Sequence, residues 1–443
     1  MILYVLAIEE LILRIKNNTK INGYKLNILQ EIEIKISAYA DDIVGYVLDE
    51  TSIKEFFLEF DKWGEISGAK INKDKTKILK IGCDQEKNVM KVLGVIFDKY
   101  GVSGKNLENI LTKIQTSINI WNKVKINILE RIVICKTFLL SKVYFFANFV
   151  RFESKIIEQI NTALFKFIYN NNIELVNRGT LILPYERGGL SLFNLESRLK
   201  TIILQQFIYI TKKYNSPFYA LSVYWMKFDM RELKIRNFNI TPAGNERERP
   251  VIYNFMTECV REFKNIDKNF IINSKQYTSK RTYELFSKKY EKTPTWESLE
   301  INLDYLKTYK KIHHKKLNSE LRSFNYRIIN NSLTLYIKYP LKKKNPCLFC
   351  NRKIETRDHL FLQCTITKNF FDNIKSMFSF LIPDRNRRQV YYCENIDGED
   401  LLIMSCYKLA LWKTRSLIEK NNTKDSKKQF LSIFTNMKKK YYF

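Results

Sequence analysis

Four residues in the C-terminal third of the chain have the types and spacing of a zinc-binding site: Cys347, Cys350, His359 and Cys364. A Cys-x-x-Cys turn presents two thiolates to one ion, and a histidine and a cysteine five residues apart can supply the other two ligands from a following helix. Three thiolates and one imidazole select Zn²⁺ and close its coordination shell, which predicts a structural role. The alternative is that these four residues are unrelated, and their spacing makes that interpretation the less favoured one.

The second candidate for chemistry is the pair Asp41-Asp42. Mg²⁺ takes few protein oxygens and shares the rest with substrate phosphates, so two carboxylates at a rigid tip suit it. The alternative is an ordinary turn, since Asp accepts hydrogen bonds from nearby backbone groups. Isoleucines alternate with charged residues over 31–36, and an almost wholly apolar run follows over 43–48. These flanks predict a hairpin with both acids at its tip and with the second strand more buried than the first.

The elements around this hairpin predict a layer of helices on a sheet. A helix is indicated over 1–18. A second helix begins at a predicted capping box formed by Ser52 and Glu55, and Gly68 ends it. Apolar runs predict further strands at 71, 78–81 and 91–97.

The chain from residue 104 to 335 predicts helices that carry many lysines. Between 104 and 170, Ile110, Ile114, Ile118 and Trp121 form an apolar stripe with lysines between the apolar positions. This pattern fits a surface that binds nucleic acid and, equally, an ordinary helical bundle with a solvated basic face.

Two segments predict breaks between these helices. Residues 183–190, with the sequence Leu-Pro-Tyr-Glu-Arg-Gly-Gly-Leu, predict a tight turn between short apolar runs. The polar segment 241–250 is the best candidate for a linker. His313 and His314 fit no metal-binding pattern, and we expect them at the surface.

The composition is strongly basic. The 443 residues are enough for two to four domains and a sizeable core. Lys and Arg total 75 against 46 Asp and Glu, which gives a net charge of +29 spread along the chain. A field of this sign favours polyanions, of which nucleic acid is the usual one. The alternative is a solvated basic surface that follows from a lysine-rich composition.

The cysteines and the apolar segments predict a cellular location. Of the eight cysteines, only those between 347 and 364 cluster, which excludes the disulfide framework of a secreted protein. The first residues do not have the pattern of a signal peptide, and no stretch has the apolar length of a membrane span. We therefore expect an intracellular, reducing environment in the nucleus or cytoplasm, with no membrane partner.

Several of these segments together resemble the reverse transcriptases of LINE-type (non-LTR) retrotransposons. The matching stretches are Tyr39-Ala40-Asp41-Asp42, residues 67–76, Val92-Leu93-Gly94-Val95, residues 183–190 and the Cys/His segment with Glu355-Thr356-Arg357-Asp358-His359. Tyr326-Arg327-Ile328-Ile329 and Leu411-Trp412-Lys413 fit the flanks of the family's zinc-binding region. The order and spacing of these stretches make the resemblance specific, and it is loose between them.

The resemblance implies an α+β fold. A partial polymerase palm, an antiparallel sheet with helices, would be followed by a mostly helical thumb and C-terminal region with a small zinc-binding segment. The implied domains are a partial palm at 1–103, a thumb-like helical domain at 104–175, a helical linker region at 176–335, a zinc-binding segment at 336–375 and a C-terminal helical tail at 376–443. Leu360, Phe361 and Leu362 would form a core too small to hold the zinc-binding segment without its metal.

The family's activity is RNA-directed DNA synthesis, which adds deoxynucleotides to a primer in a Mg²⁺-dependent reaction. The resemblance implies that Asp41 and Asp42 are catalytic Mg²⁺ ligands, that Lys75 is catalytic near the leaving phosphates, and that Tyr39 and Ala40 lie on the primer side. The four Cys/His residues would bind a structural Zn²⁺. The implied partners are an RNA template and a DNA primer or target, with deoxynucleotides as the small-molecule substrates.

The start of the chain departs from the family. The helix at 1–18 resembles the one that directly follows the family's nucleotide-binding motif, so that motif and the first palm carboxylate would lie upstream. We therefore expect a C-terminal part of a polymerase, N-terminally truncated and inactive alone. One alternative is a non-catalytic nucleic-acid-binding remnant of such a polymerase. Another is a zinc-stabilised interaction module, which fits the C-terminal third alone.

Overall fold

The computed structural model of the protein is mainly helical, with small antiparallel sheets. It describes residues 2–27, 31–72, 74–81, 89–213, 216–233, 249–270, 276–297, 303–335, 346–379, 385–421 and 425–441. Most of the predicted linker at 241–250 lies outside these residues. Among the described helices, none combines the length and the apolar character that crossing a membrane requires.

Seventeen α-helices form most of the described structure. They are α1 Ile2–Asn17, α2 Glu50–Ser67, α3 Lys105–Trp121, α4 Ile128–Ile134, α5 Leu140–Phe146, α6 Ser154–Ile168, α7 Arg178–Ile182, α8 Leu195–Ile210, α9 Pro217–Glu232, α10 Val251–Ile266, α11 Ser279–Ser287, α12 Tyr305–Ile312, α13 Ser319–Ile329, α14 Thr365–Asp372, α15 Arg387–Tyr392, α16 Gly398–Asn421 and α17 Ser426–Tyr441. Single π-helical turns lie at Cys135–Leu139, between α4 and α5, and at His359–Gln363, before α14.

Seven short strands form three antiparallel sheets in the described part of the chain. The strands are β1 Tyr24–Asn27, β2 Glu31–Ile34, β3 Ile36–Tyr39, β4 Asp42–Gly45, β5 Met90–Val92, β6 Val95–Asp98 and β7 Gly101–Val102. Strand β1 pairs with β2, β3 pairs with β4, and β5, β6 and β7 form one sheet in that order.

The chain divides into two compact units whose segments alternate along the sequence. Unit 1 contains Met1–Ile114, Lys142–Glu158 and Glu196–Phe286, and unit 2 contains Gln115–Ser141, Gln159–Leu195 and Ser287–Phe443. The domain boundaries expected at 103, 175, 335 and 375 rest on the resemblance and remain predictions.

The hairpin of β3 and β4 packs on two helices of unit 1. Ile8, Leu11 and Ile15 of α1 are buried with Ile36 of β3 and Trp63 of α2. Gly45 ends β4 where the ring of Phe56 in α2 lies so close that a Cβ atom would fall 2.7 Å from it. The absence of a side chain at Gly45 therefore allows helix α2 to approach the hairpin.

Helix α2 begins before the predicted capping box. Asp49 is its N-cap, because the Asp49 carboxylate accepts a hydrogen bond from the Ser52 N–H at 2.7 Å. Ser52 is buried inside the first turn, and its hydroxyl oxygen accepts a hydrogen bond from the Asn22 N–H at 2.9 Å. The capping-box prediction was wrong by one turn. The prediction that Gly68 ends the helix is confirmed, since Gly68 has the left-handed φ of 72°.

Three strand predictions from apolar runs were wrong. The described residues of 71–81 form no strand, and Ile78 and Ile81 are exposed. Residues 91–97 form a hairpin instead of one strand, because the chain turns at Leu93 and Gly94. Strand β4 ends at Gly45, and Leu48 is 63% exposed, so the run 43–48 is not the more buried strand. An apolar run is buried only where another layer covers it.

The turn at 183–190 has the structural role that its glycines predict. Gly188 has a left-handed φ of 79°, and a Cβ atom there would collide with the Tyr309 ring. A Cβ atom on Gly189 would collide with the backbone carbonyl of Leu183. Only residues without side chains allow this turn to fold back onto its own start.

The helical pattern of apolar residues correctly predicted which face of α3 is buried. Ile110, Ile114 and Ile118 of α3 are buried and Trp121 is half-buried, which confirms the predicted stripe. Unit 2 also contains a large core that extends from Trp296 to Met437 and is formed mostly by α12 to α17. In this core Phe370 of α14 stacks on Phe430 of α17 at a centroid distance of 4.9 Å.

Candidate metal centre

The first two cysteines lie on a tight loop closed by a short antiparallel bridge. Pro346 pairs with Ile354, and the Cys347 N–H donates to the Lys353 carbonyl at 2.7 Å. The Asn351 N–H donates back to the Cys347 carbonyl at 2.8 Å, and Asn351 has the left-handed φ of 51° that Asn tolerates. This loop turns the sulfur atoms of Cys347 and Cys350 to the same side.

The other two ligands lie at the two ends of the π-helical turn His359–Gln363. Residues five apart on an α-helix point about 140° away from each other. The wider π turn closes with a hydrogen bond from the Cys364 N–H to the His359 carbonyl at 2.7 Å. Cys364 then leaves the helical conformation, with φ −67° and ψ 126°. The π turn therefore brings a pair with this spacing to one ion.

The four ligand atoms lie within 4.8 Å of one another, and this is the one such group of three or more ligands among the residues that the structure describes. The Cys350 sulfur is 3.3 Å from Nε2 of His359, and the Cys347 and Cys364 sulfurs are 4.0 Å apart. A tetrahedral Zn²⁺ with Zn–S distances of about 2.3 Å needs sulfurs about 3.8 Å apart. The residues therefore fit Zn²⁺ in both chemistry and size.

The environment of the ligands favours thiolate at Cys364. A hydrogen bond from the Cys347 thiol lowers the pKa of Cys364, and the N–H groups of Thr367 and Ile366 at the start of α14 lower this pKa further against the effect of burial. The same sulfur–sulfur hydrogen bond raises the pKa of Cys347. Zn²⁺ binding would displace the proton that the two sulfurs share.

Each residue before His359 in the Glu-Thr-Arg-Asp-His run has a structural partner. Glu355 is 2% exposed, accepts a hydrogen bond from the Leu348 N–H at 3.2 Å and pairs with Arg415 of α16 at 2.7 Å. The Thr356 hydroxyl accepts a hydrogen bond from the His359 N–H at 2.8 Å. The pair with Arg415 joins the ligand segment to α16, a helix that lies much later in the sequence.

The next two residues of the run contact α13 and α15. The Arg357 guanidinium donates to the Ile328 carbonyl at 2.8 Å and lies 4.3 Å from the centroid of the Tyr391 ring. The Tyr391 hydroxyl donates to the Asp358 carboxylate at 2.9 Å. The run therefore holds the ligand segment against three helices, α13, α15 and α16. These contacts are the reason why these residue types accompany the ligands.

The expectation of a small core under the metal site was wrong. Leu360 and Phe361 are fully buried in the large core of unit 2, together with residues of α16 and α17. Phe349, inside the Cys-x-x-Cys loop, packs edge-on against Phe370 at 5.6 Å. The segment 376–443, expected as a tail, supplies much of the packing around the ligands.

The expectation that His313 is a surface residue was also wrong. Its ring packs against Tyr185 at a centroid distance of 4.7 Å and lies 6.0 Å from the buried Tyr326 ring. Burial, and then the positive charge of Arg322, lower the pKa of His313 to about 4. His313 is therefore a neutral packing residue in unit 2.

The acidic hairpin forms with Asp41 and Asp42 beside its turn, as predicted, but its first strand is β3 and not the alternating run 31–36, most of which is β2 and pairs with β1. Tyr39 pairs with Asp42, so Ala40 and Asp41 make a two-residue turn. Asp41 and Asp42 are exposed, and Tyr39 is 71% exposed. Ala40 has a φ of 53°, a conformation that strains an L-residue and is found more often at functional sites than elsewhere.

Lys75 lies in a separate exposed turn. Its backbone N–H donates to the Asn72 side chain at 3.1 Å, and the Thr76 hydroxyl donates to the Asn72 carbonyl at 2.9 Å. Asn72 therefore sets the shape of this turn. Within the described residues, no third carboxylate joins Asp41 and Asp42 in a group that could hold a metal.

Residues 277–370 match the family described as zinc-binding in reverse transcriptase. The match contains all four ligands and the helices α11, α12 and α13. It supports a reverse transcriptase-related protein. Together with the geometry of the ligands, it supports Zn²⁺ as the ion of this centre.

Two residues outside the matched segment belong to the metal centre and were missed from the sequence. Arg415 pairs with Glu355, and Arg385 contacts the π turn. Charged residues in a lysine-rich and arginine-rich chain give no local signal for such contacts.

Proposed function

We propose that this chain carries the acidic hairpin and the zinc centre of an RNA-directed DNA polymerase of the LINE type. The observation that carries the proposal is the buried Cys/His site inside the segment that matches the zinc-binding family of reverse transcriptases. The acidic hairpin adds support, because it presents two exposed carboxylates on the Tyr-Ala-Asp-Asp stretch that resembles the polymerase box. On this proposal the zinc centre is structural and the chemistry belongs to the hairpin.

The proposed catalytic roles are assigned to exposed residues of the hairpin and of the turn at Lys75. Asp41 and Asp42 would hold Mg²⁺, which stabilises charge on phosphates during phosphoryl transfer. Lys75, exposed on its own turn, would contact the leaving phosphates. Tyr39 and Ala40 would lie beside the primer. RNA template, DNA primer and deoxynucleotides would be the partners.

We also propose that the 443-residue chain does not polymerise DNA on its own. A two-metal clamp needs carboxylates that converge from separate strands, whereas Asp41 and Asp42 lie beside one turn. The group of ligands that such a clamp requires is not found within the described residues. The purified chain is therefore expected to give no product above background in primer extension on RNA with Mg²⁺ or Mn²⁺. Extension that disappears in Asp41→Ala would show that a further carboxylate completes the site.

A non-catalytic nucleic-acid-binding protein is the second candidate, favoured by the net charge of +29. Each phosphate contact releases a counterion, so the logarithm of the affinity should fall linearly with the logarithm of salt concentration. Fluorescence anisotropy with labelled duplex and single-stranded RNA and DNA measures this slope. Binding that is steep in salt but without extension supports the remnant. Affinity that does not depend on salt contradicts both candidates and favours an interaction module.

A further inference from the structure

A buried arginine outside the matched segment lies against the metal centre. Arg385 is 6% exposed, and its two terminal guanidinium nitrogens lie within hydrogen-bond distance, 3.0 to 3.2 Å, of five acceptors that share their four N–H groups. The acceptors are the carbonyl oxygens of Phe361, Leu362 and Cys364 and the hydroxyl oxygens of Thr367 and Tyr407.

Two of these carbonyls belong to the π turn, and the third belongs to a ligand. The last carbonyls of a helical turn have no donor within the turn, so a buried turn needs donors from elsewhere. Arg385 supplies donors to the Phe361 and Leu362 carbonyls from beyond the matched segment, whereas the Cys364 carbonyl also accepts from the Lys368 N–H at 2.9 Å. A tighter α-type turn would turn Cys364 about 140° away from His359.

We propose that Arg385 is a positioning residue of the zinc centre. By holding the carbonyl end of the π turn, it keeps His359 and Cys364 in the arrangement that one tetrahedral ion requires. A planar guanidinium spreads its donors over separate nitrogens in a fixed fork, whereas the lysine ammonium has its three donors on one nitrogen and cannot span the same acceptors. The inference concerns the metal centre alone and stands whether or not the chain takes part in DNA synthesis.

The test compares Arg385→Lys with the wild-type full-length chain. We expect Arg385→Lys to weaken Zn²⁺ binding by ten-fold or more in competition with a chromophoric chelator, as is typical when the partner of a ligand is lost. With Co²⁺ in place of Zn²⁺, the visible absorption bands should shift, because they report the ligand geometry. Arg388→Lys is the matched control, since Arg388 lies on α15 and pairs with Glu394 at 3.4 Å. It should leave both measurements unchanged.

A second variant separates positioning from general stability. Tyr407→Phe removes one acceptor of Arg385 and keeps the aromatic ring, so the chain should keep its wild-type far-ultraviolet circular dichroism. We expect a two- to five-fold loss of Zn²⁺ affinity and a smaller shift of the Co²⁺ bands. Wild-type affinity and wild-type Co²⁺ spectra in both variants would overturn the proposal. So would a loss of metal that only accompanies a loss of helical signal.

Discussion

Three of the four zinc ligands are buried, whereas Asp41 and Asp42 are exposed beside a two-residue turn. Partners from α13, α15 and α16 fix the residues that precede His359. Residues of α1 and α2 pack behind the hairpin, and the residues at its tip are exposed.

This difference shows where each site obtains its geometry. The metal centre is positioned by the fold, so changes there should alter stability and metal content together. The carboxylates at the hairpin tip are exposed to solvent, so substitutions there should leave the fold intact.

Cys364→Ser should have the largest effect on the protein. The wild-type chain should hold one zinc ion, measured by atomic absorption, and the variant should hold none. Because binding of a structural Zn²⁺ contributes directly to folding, we expect unit 2 to lose more than about 4 kcal/mol of stability. Hydrogen exchange should rise in the π turn and α14 and stay unchanged in α1 and α2.

Asp41→Asn is the control for Cys364→Ser and should shift stability by less than about 0.5 kcal/mol. Zinc content that survives Cys364→Ser would remove this residue from the ligand set.

Glu355→Gln should have the next largest effect. The variant leaves the guanidinium of Arg415, whose side chain is 11% exposed, without its buried partner. Breaking such a pair costs about 3 kcal/mol, because a buried charge remains. Glu419→Gln is the matched control: Glu419 also pairs with Arg415, but its side chain is 57% exposed, so the loss should be under about 1 kcal/mol. Denaturant unfolding measures both, and equal losses would mean that burial of Glu355 is unimportant.

The acid sensitivity of unit 2 should come partly from His313. Its pKa falls to about 4 in the folded chain, so the unfolded chain binds the proton first as pH decreases. The stability that depends on neutral His313 is therefore complete above about pH 6.5 and is lost between about 6.5 and 4, on the order of 2 kcal/mol after allowance for partial exposure. His313→Phe should remove this slope, and the neighbouring His314→Gln should retain it. A slope that persists in His313→Phe would assign it to another group.

The local parts of this structure could be predicted from the sequence, and the distant contacts could not. Ligand spacing predicted the Cys347 to Cys364 cluster, and the position of the hairpin turn at Asp41 was also predicted, because both are set within a few residues. The alternating run 31–36 was assigned to the wrong pair of strands, since most of it is β2 and pairs with β1. The pair of Glu355 with Arg415 joins residues far apart in the chain. The exposure of Leu48 depends on which layers cover it, and an apolar run alone does not determine that.

The smallest effect should come from Ala40, and it tests whether the hairpin tip is as independent of the fold as the comparison implies. Glycine removes the strain of a left-handed φ of 53° but loses more entropy on folding, so Ala40→Gly should change stability by less than about 0.5 kcal/mol. Ala40→Val places a β-branched side chain in the same conformation and should cost about 1 kcal/mol, confined to β3 and β4. Hydrogen exchange of the hairpin amides measures both, and zinc content should equal that of the wild-type chain. A loss above about 1 kcal/mol in Ala40→Gly would contradict the left-handed turn. A change in zinc content would show that the two sites are coupled after all.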